Sequence, residues 1–361
     1  MQSAVELKLA PWRTTARQRA KTRTRLFVVS LLVCALTSAL LASWLPLQFS
    51  VVTVFLFAGP HNLFELRYFL MRLPVRFGNS RNFFLTAFVG IALLTLTYVS
   101  LPLLYRFGFW TNEAWSMVIA GWNTLLLFWL GFLVWLRGKQ KVGRDWSWVL
   151  PIVLALSSLN WMAPEFFSLA IVYLHPLVAL WFLDRHLARS RPDWLQAYRR
   201  CLCLLPFLLA VMVWQIARTP ALADDNGLFW RITQHAGAQL LPNVSSHLLV
   251  SVHVFLEMLH YGVWLFALPL VGPVMLCSRQ SRNAAGDNAR PRIWSLRSVP
   301  LARHPRGFPK MMAAVLVLGL FVVGLLWFGF SVNYAMTRDI YFTVAIAHVL
   351  AEAPFLLRMT Q

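Results

Sequence analysis

The sequence contains few charged residues, and acidic residues are the scarcest of them. Charged residues make up 13% of its 361 residues, Asp and Glu together number 13, and 59% of the chain is hydrophobic. A soluble protein of this length could not bury so much apolar surface. Apolar runs of about twenty residues recur from end to end, as membrane-spanning helices require. The composition therefore predicts an all-α fold, a polytopic transmembrane helix bundle.

Several motifs that would indicate other chemistry are also missing. The four cysteines form no CxxC pair, which argues against a thiolate metal site, and we expect no disulfides among them. Neither GxGxxG nor GxxxxGK[ST] occurs, so no phosphate-binding loop is indicated. The HxxxH and HxxHH boxes of membrane desaturases are absent. No internal repeat at a fixed period is found, which disfavours an inverted-repeat transporter.

Hydropathy predicts about ten spans in a single transmembrane domain, 26–361, behind a basic cytoplasmic tail at 1–25. We expect an outer loop at 218–245 and a basic cytoplasmic loop at 278–309. A tight turn at Met162-Ala163-Pro164 would separate the fifth and sixth spans, although one re-entrant element is an alternative. The predicted spans are 26–45, 47–70, 83–105, 114–136, 146–161, 164–186, 201–217, 246–274, 310–331 and 338–357.

The net charge of +20 is distributed unevenly over the predicted loops. With alternating spans, all but four of the 33 Lys and Arg fall on one side, and the exceptions are Arg106, Arg218, Arg231 and Arg338. The positive-inside rule makes the basic side cytoplasmic, so both termini are predicted there, in a multi-pass protein of the cell inner membrane. The basic loops would contact anionic membrane lipids, and we expect no nucleic acid partner.

Histidine and glutamate recur at one spacing within the apolar segments. Three histidines are each followed four residues later by a glutamate, which places both side chains on one helix face: His61 and Glu65, His253 and Glu257, His348 and Glu352. His175 has no such glutamate. His260 follows Glu257 by three residues, the ExxH spacing of carboxylate-bridged di-iron bundles. Ionisable residues in hydrocarbon are costly, so they indicate a functional site.

The histidines are predicted to lie at one depth. His175 and His348 each precede an arginine by ten residues and His61 precedes one by eleven, about 15 Å along a helix. His260 falls at a similar depth, and all four helices would run inward. The carboxylates should then lie one turn closer to the cytoplasm than the imidazoles. His247 should point away from the site.

These residues predict a metal centre. The expected metal ligands are His61, His175, His253, Glu257, His260 and His348. Glu65, Glu257 and Glu352 are the expected catalytic carboxylates, as bridging ligands or as acceptors that orient the rings. Imidazole and carboxylate without thiolate favour iron, as one or two ions, with manganese or zinc as alternatives. A site within the bilayer implies an apolar small-molecule substrate that enters from the lipid.

One segment resembles a known family. Gly59-Pro60-His61-Asn62 resembles the Pro-His-Gly signature of the bacterial Brp/Blh-like carotene-cleaving dioxygenases, and Ala347-His348-Val349-Leu350 is similar to a late histidine segment of that family. The chain departs from the family at Asn62, where a glycine is expected. The resemblance implies a non-haem iron site built from His61, His175, His253 or His260, and His348, with an isoprenoid or other long lipid as substrate.

Two other functions fit the same residues. A proton-coupled transporter could use the carboxylates and imidazoles as a relay, although a single depth favours a point site over a path. A structural or pigment-binding subunit could use the histidines as axial ligands. The sequence favours a membrane metalloenzyme, an oxygenase or hydroxylase acting on a lipid or isoprenoid.

Overall fold

A computed structural model describes residues 3–74, 77–140, 146–223, 227–271, 299–303 and 307–359. In these ranges the regular structure is entirely helical. The α-helices in chain order are α1 Ser3–Trp44, α2 Pro46–Arg72, α3 Arg81–Arg106, α4 Asn112–Lys139, α5 Val149–Met162, α6 Pro164–Ser190, α7 Pro192–Ile216, α8 Gly227–His235, α9 Ser246–Gly262, α10 Leu268–Val271, α11 Pro300–Arg303, α12 Pro309–Val332 and α13 Tyr334–Met359. A 3-10 turn, Gly78–Ser80, precedes α3, and a π-helical turn, Val263–Ala267, joins α9 to α10. Most of the predicted loop 278–309 lies outside the described residues.

Nine helical segments of the described residues are long and apolar enough to cross a membrane. They are α1 from Thr22 onward, α2, α3, α4, α6, α7, α12, α13, and α9 with its extension to Val271. These segments indicate a multi-pass membrane protein, as the composition predicts. The helix α1 also continues back to Ser3, through the predicted basic tail.

The predicted fifth span is shorter than the others. Helix α5 has 14 residues, about 21 Å, which is less than the roughly 30 Å of a bilayer core. It nevertheless runs antiparallel to α4: Trp146, just before α5, packs on Gly138, and Asn160 near its end donates to the Ala120 carbonyl at 2.8 Å. The chain then turns at Ala163, where the sequence predicts a turn, and α6 begins at the same end of the bundle as α4.

Local sequence explains where several of these helices begin. Four of the long helices start at a proline, whose fixed φ suits the first helical turn and whose missing N–H is not needed there: Pro46, Pro164, Pro192 and Pro309. Helix α4 begins after Thr111, whose hydroxyl accepts a hydrogen bond from the Ala114 amide at 3.2 Å. The Asn333 side chain accepts one from the Met336 amide at 3.0 Å in the first turn of α13.

Helix α9 lies at the centre of the bundle. It packs against α1, α2, α6 and α7, and nearly every side chain from Val250 to Trp264 is buried. A helix that is apolar on all sides is expected in such a position. In contrast, most of α12 is exposed on the outside of the bundle. The polar side chains of α9 must therefore find their partners inside the protein.

Helices α2, α6 and α13 run parallel to one another. The Arg72 guanidinium lies 2.8 Å from His186 Nδ1, and Arg358 donates to the Arg72 carbonyl at 3.0 Å. Arg72 and His186 come eleven residues after His61 and His175, and Arg358 comes ten residues after His348. These contacts hold the ends of the three helices at the same height. His61, His175 and His348 therefore lie at one level of the bundle.

Candidate metal centre

Four imidazole rings from four helices meet inside the bundle. His175 on α6 lies 4.6 Å from His260 on α9 and 5.1 Å from His348 on α13, measured between ring centroids. His61 on α2 lies 5.3 Å from both His260 and His348. The Nε2 atoms of His175 and His348 are 3.2 Å apart. Residues separated by up to 287 positions in the chain thus share one site.

Two glutamates complete this group. Ligand atoms of His61, Glu65, His260 and His348 all lie within 4.8 Å of one another, and so do those of His175, His260 and Glu352. The Glu352 Oε2 atom is 3.2 Å from His175 Nδ1. We call these six residues, which share His260 between the two sets, the inner cluster.

Several donor atoms of the inner cluster lack hydrogen-bond partners among the described residues. His61 Nδ1 lies 3.0 Å from the Phe57 carbonyl, a contact that requires Nδ1–H and leaves an available lone pair on Nε2. That Nε2, both ring nitrogens of His260 and both carboxylate oxygens of Glu65 have no partner. Buried polar groups are usually hydrogen-bonded. Converging lone pairs without donors are the arrangement that a metal cation would satisfy.

The donor set fits iron, manganese or zinc. Imidazole nitrogen and carboxylate oxygen suit these metals, and no cysteine of the described residues belongs to either set of ligands. Glu65 and Glu352 interact electrostatically, so two ionised carboxylates here would repel each other without a cation. Glu352, placed behind His175, also reproduces the carboxylate–histidine pair that orients metal-bound rings.

Each helix of the inner cluster is irregular near its ligand. Pro60 precedes His61, Pro176 follows His175, and Pro354 follows Glu352 within the continuous helices α2, α6 and α13. In α9 the π-helical turn begins three residues after His260. Proline removes a helical hydrogen bond, and π-helical turns are frequent at functional sites. The irregular helix positions thus lie where the side chains converge.

Two predicted ligands do not join the inner cluster. His253 packs with His235 and Tyr173, at 5.1 and 5.8 Å between ring centroids, and Glu257 accepts a hydrogen bond of 2.6 Å from Tyr261. Both side chains are buried on the interior face of α9, as their helical phase predicts. His253 is seven residues from His260, about 10 Å along the axis. Helical periodicity places His253, Glu257 and His260 on one face of α9. The distance along the helix axis nevertheless puts His253 and His260 at two different levels of the bundle.

A second polar group therefore occupies the bundle at the level of His253. We call His235, His253, Glu257, Tyr261 and Arg338 the outer cluster. Tyr261 connects the two levels, because its ring centroid lies 4.5 Å from that of His61 while its hydroxyl donates to Glu257. His235 lies on α8, and its pKa is held well below the usual range by burial, with His253 and Arg338 adding to the effect.

Sequence reasoning assigned no role to His235, Tyr261 or Arg338. Tyr261 is not part of the four-residue spacing of histidine and glutamate that marked the other residues. Helix α8, which carries His235, belongs to the segment 218–245 that the sequence predicts as a loop. His247, expected to point away from the site, lies 2.8 Å from the Ser43 carbonyl of α1 through its Nε2. Helical phase predicts the direction of His247, whereas only the tertiary contacts bring His235 to His253.

No protein-family model matches the chain, and no curated protein or solved structure is detectably similar to it. Its function must be inferred from the chemistry of the two clusters.

Proposed function

We propose that the protein is an integral-membrane oxygenase or hydroxylase that holds non-haem iron in the inner cluster and acts on a lipid or isoprenoid. The main support is the convergence of four imidazoles and two carboxylates. His61, His260 and Glu65 carry donor atoms that have no partner among the described residues. A buried set of this kind is costly unless a cation occupies it.

The residues of the inner cluster have separate tasks. The metal would be held by His61, His175, His260, His348 and Glu65. The Phe57 carbonyl fixes the tautomer of His61 that leaves Nε2 free. Glu352, whose Oε2 lies 3.2 Å from His175 Nδ1, would orient that ring. Bound iron would supply the capacity to activate dioxygen. The helices around the cluster keep bulk water away from it.

The position of the inner cluster supports an apolar substrate. His61 and His348 are ten or eleven residues from the arginines at the ends of their helices, about 15 Å, so the site lies near mid-depth of a bilayer. Aromatic side chains border it, among them Tyr261 beside His61 and Trp264 beside His260. A long hydrocarbon is the kind of substrate that reaches this depth directly from the lipid.

We also propose ten crossings with both termini in the cytoplasm of a cell whose inner membrane holds the protein. Support comes from α5, which returns the chain to the end where α4 begins, and from the parallel α2, α6 and α13. A reporter fused after Gln361 should be active in the cytoplasm. Activity confined to the periplasm would contradict this topology.

Metal analysis tests the function most directly. Protein purified without oxygen should contain iron. Membranes supplied with isotopically labelled dioxygen, an added reductant and a total lipid extract should form labelled lipid or isoprenoid products. The His260→Ala variant serves as the control that lacks a central ligand. Protein that binds neither iron, manganese nor zinc would disprove the proposal, and metal-loaded protein without labelled products would disprove its oxygenase part.

The outer cluster favours proton-coupled transport as the second candidate. Glu257, Tyr261 and His61 follow one another through close contacts, which extends the polar groups over two levels of α9. Proton uptake into liposomes that is abolished in Glu257→Gln, without any need for metal, would favour transport. Uptake equal to that of empty liposomes would eliminate it.

A further inference from the structure

Arg338 is a buried cation in the first turns of α13. The side chain is 3% exposed, and its guanidinium carbon lies 4.7 Å from the centre of the Phe342 ring. Its Nε atom has no hydrogen-bond partner among the described residues. A guanidinium in such a position normally has a carboxylate or phosphate as its partner.

No carboxylate of the described residues forms an ion pair with Arg338. The ion pairs found there are His175–Glu352, Arg185–Asp184, Arg199–Asp184 and Arg231–Asp339. The neighbouring Asp339 is thus paired with Arg231. Glu257 is near enough to interact electrostatically with Arg338, but it accepts its hydrogen bond from Tyr261. The positive charge of Arg338 remains without a contacting anion.

The surroundings of Arg338 favour an anion. Arg231 also lies nearby, but its charge is neutralised by Asp339, and the Tyr334 hydroxyl interacts with Arg338. Arg338 is the fifth residue of α13, close to the N-terminal end, where the helix dipole attracts negative charge. These groups come from α8 and α13, while His253 of α9 faces the same region.

We propose that Arg338 binds the anionic end group, a carboxylate or a phosphate, of an amphiphilic substrate whose apolar chain extends to the inner cluster. Arg338 and His348 are ten residues apart on α13, about 15 Å, a distance that a long acyl or isoprenoid chain spans. Arg338 would then determine which carbon of the chain lies beside His61 and His348. That the bound anion is the substrate rests on the proposed function. The existence of an anion site at Arg338 does not depend on that function.

Binding of three matched amphiphiles tests the site. Palmitate, hexadecyl phosphate and uncharged hexadecanol are titrated into the full chain in detergent, and binding is followed by the shift of the unfolding temperature. Wild-type protein should bind one or both anions about tenfold or more tightly than hexadecanol. Arg338→Gln should lose this selectivity and Arg338→Lys should retain part of it. Arg106→Gln, which changes an exposed arginine at the same end of the bundle, should behave as wild type.

Stability without ligand separates this role from a structural one. Arg338→Gln should unfold at the same temperature as wild type or higher, because it removes a buried charge that contacts no anion among the described residues. If Arg338→Gln instead unfolds at a lower temperature, and adding Glu257→Gln to it restores the wild-type temperature, Arg338 is the structural partner of Glu257. That result would overturn the proposal. Equal binding of hexadecanol and the anions, or full selectivity in Arg338→Gln, would overturn it as well.

The metal content of the same preparations separates this proposal from the function proposed above. Arg338→Gln should keep its metal, since Arg338 is not part of the inner cluster. Anion-selective binding by a protein that holds no metal would support the anion site at Arg338 and disprove the proposed oxygenase function. Metal-loaded protein without anion selectivity would disprove the anion site and leave the proposed oxygenase function standing.

Discussion

The inner and outer clusters both contain histidine and glutamate but differ in the hydrogen-bond donors that accompany them. Each takes a histidine from α9, His260 in the inner cluster and His253 in the outer, and both of these side chains are buried. In the inner cluster, His260 and Glu65 have no hydrogen-bond partners in the part of the chain that the structure describes. In the outer cluster, Tyr261 donates to Glu257, and Arg338 adds a positive charge.

This difference indicates which cluster can bind a cation. A metal site needs converging lone pairs without competing donors, which the inner cluster provides. The outer cluster presents a guanidinium and a hydroxyl donor, which repel a cation and attract an anion. A histidine and a glutamate four residues apart therefore do not by themselves identify a metal site.

The largest expected difference is between the two histidines of α9. His260→Ala should abolish metal binding, because His260 belongs to both sets of converging ligands. His253→Ala should retain the metal, because His253 packs with His235 and Tyr173 one level away. Elemental analysis of both variants, with circular dichroism to establish folding, measures this. Equal loss of metal in the two variants would show that His253 and His260 belong to one metal site, contrary to the division into two clusters.

The corresponding glutamates should differ by less. Glu352→Gln should weaken metal binding by about 10–100-fold, as loss of a carboxylate that orients a ligating histidine does. Glu257→Gln is the matched control and should leave metal affinity unchanged. Competition with a chelator gives both affinities. If Glu257→Gln proves the more damaging change, the assignment of roles between the clusters is wrong.

Tyr261→Phe tests the connection between the levels. It removes the hydroxyl that donates to Glu257 but keeps the ring beside His61. We expect a loss of about 1 kcal/mol in the free energy of unfolding, typical of one hydrogen bond, with unchanged metal content. Denaturation in mild detergent, compared with wild type, measures the loss. A metal-free Tyr261→Phe protein would instead show that the hydroxyl helps to build the inner cluster.

The smallest effect is expected at His247, which belongs to neither cluster. His247→Ala removes the contact with the Ser43 carbonyl between α9 and α1. Interhelical hydrogen bonds in membranes contribute about 0.6 kcal/mol on average, so stability should change by about that amount. Metal content and anion binding should be those of wild type. A loss of either property would mean that α9 positions the clusters through its contact with α1.

Much of the fold follows from the sequence alone. Long apolar runs have few ways to satisfy their backbone in a membrane, so helices and their approximate ends can be predicted from hydropathy. The turn at Ala163 and the helix starts at Pro46 and Pro309 follow from proline geometry. The shortness of the fifth span also follows from hydropathy, because its predicted range, 146–161, is the shortest of the ten, and α5 has 14 residues.

The sequence also determined which residues of the inner cluster belong together. Spacings of about ten residues from terminal arginines placed His61, His175 and His348 at one depth, and the i, i+4 pattern put Glu65 and Glu352 on the same faces. The tertiary structure decided the division of α9 between two clusters. Helical periodicity specifies only the face of a residue, whereas the level at which His253 or His260 meets its partners depends on how neighbouring helices are shifted along their axes.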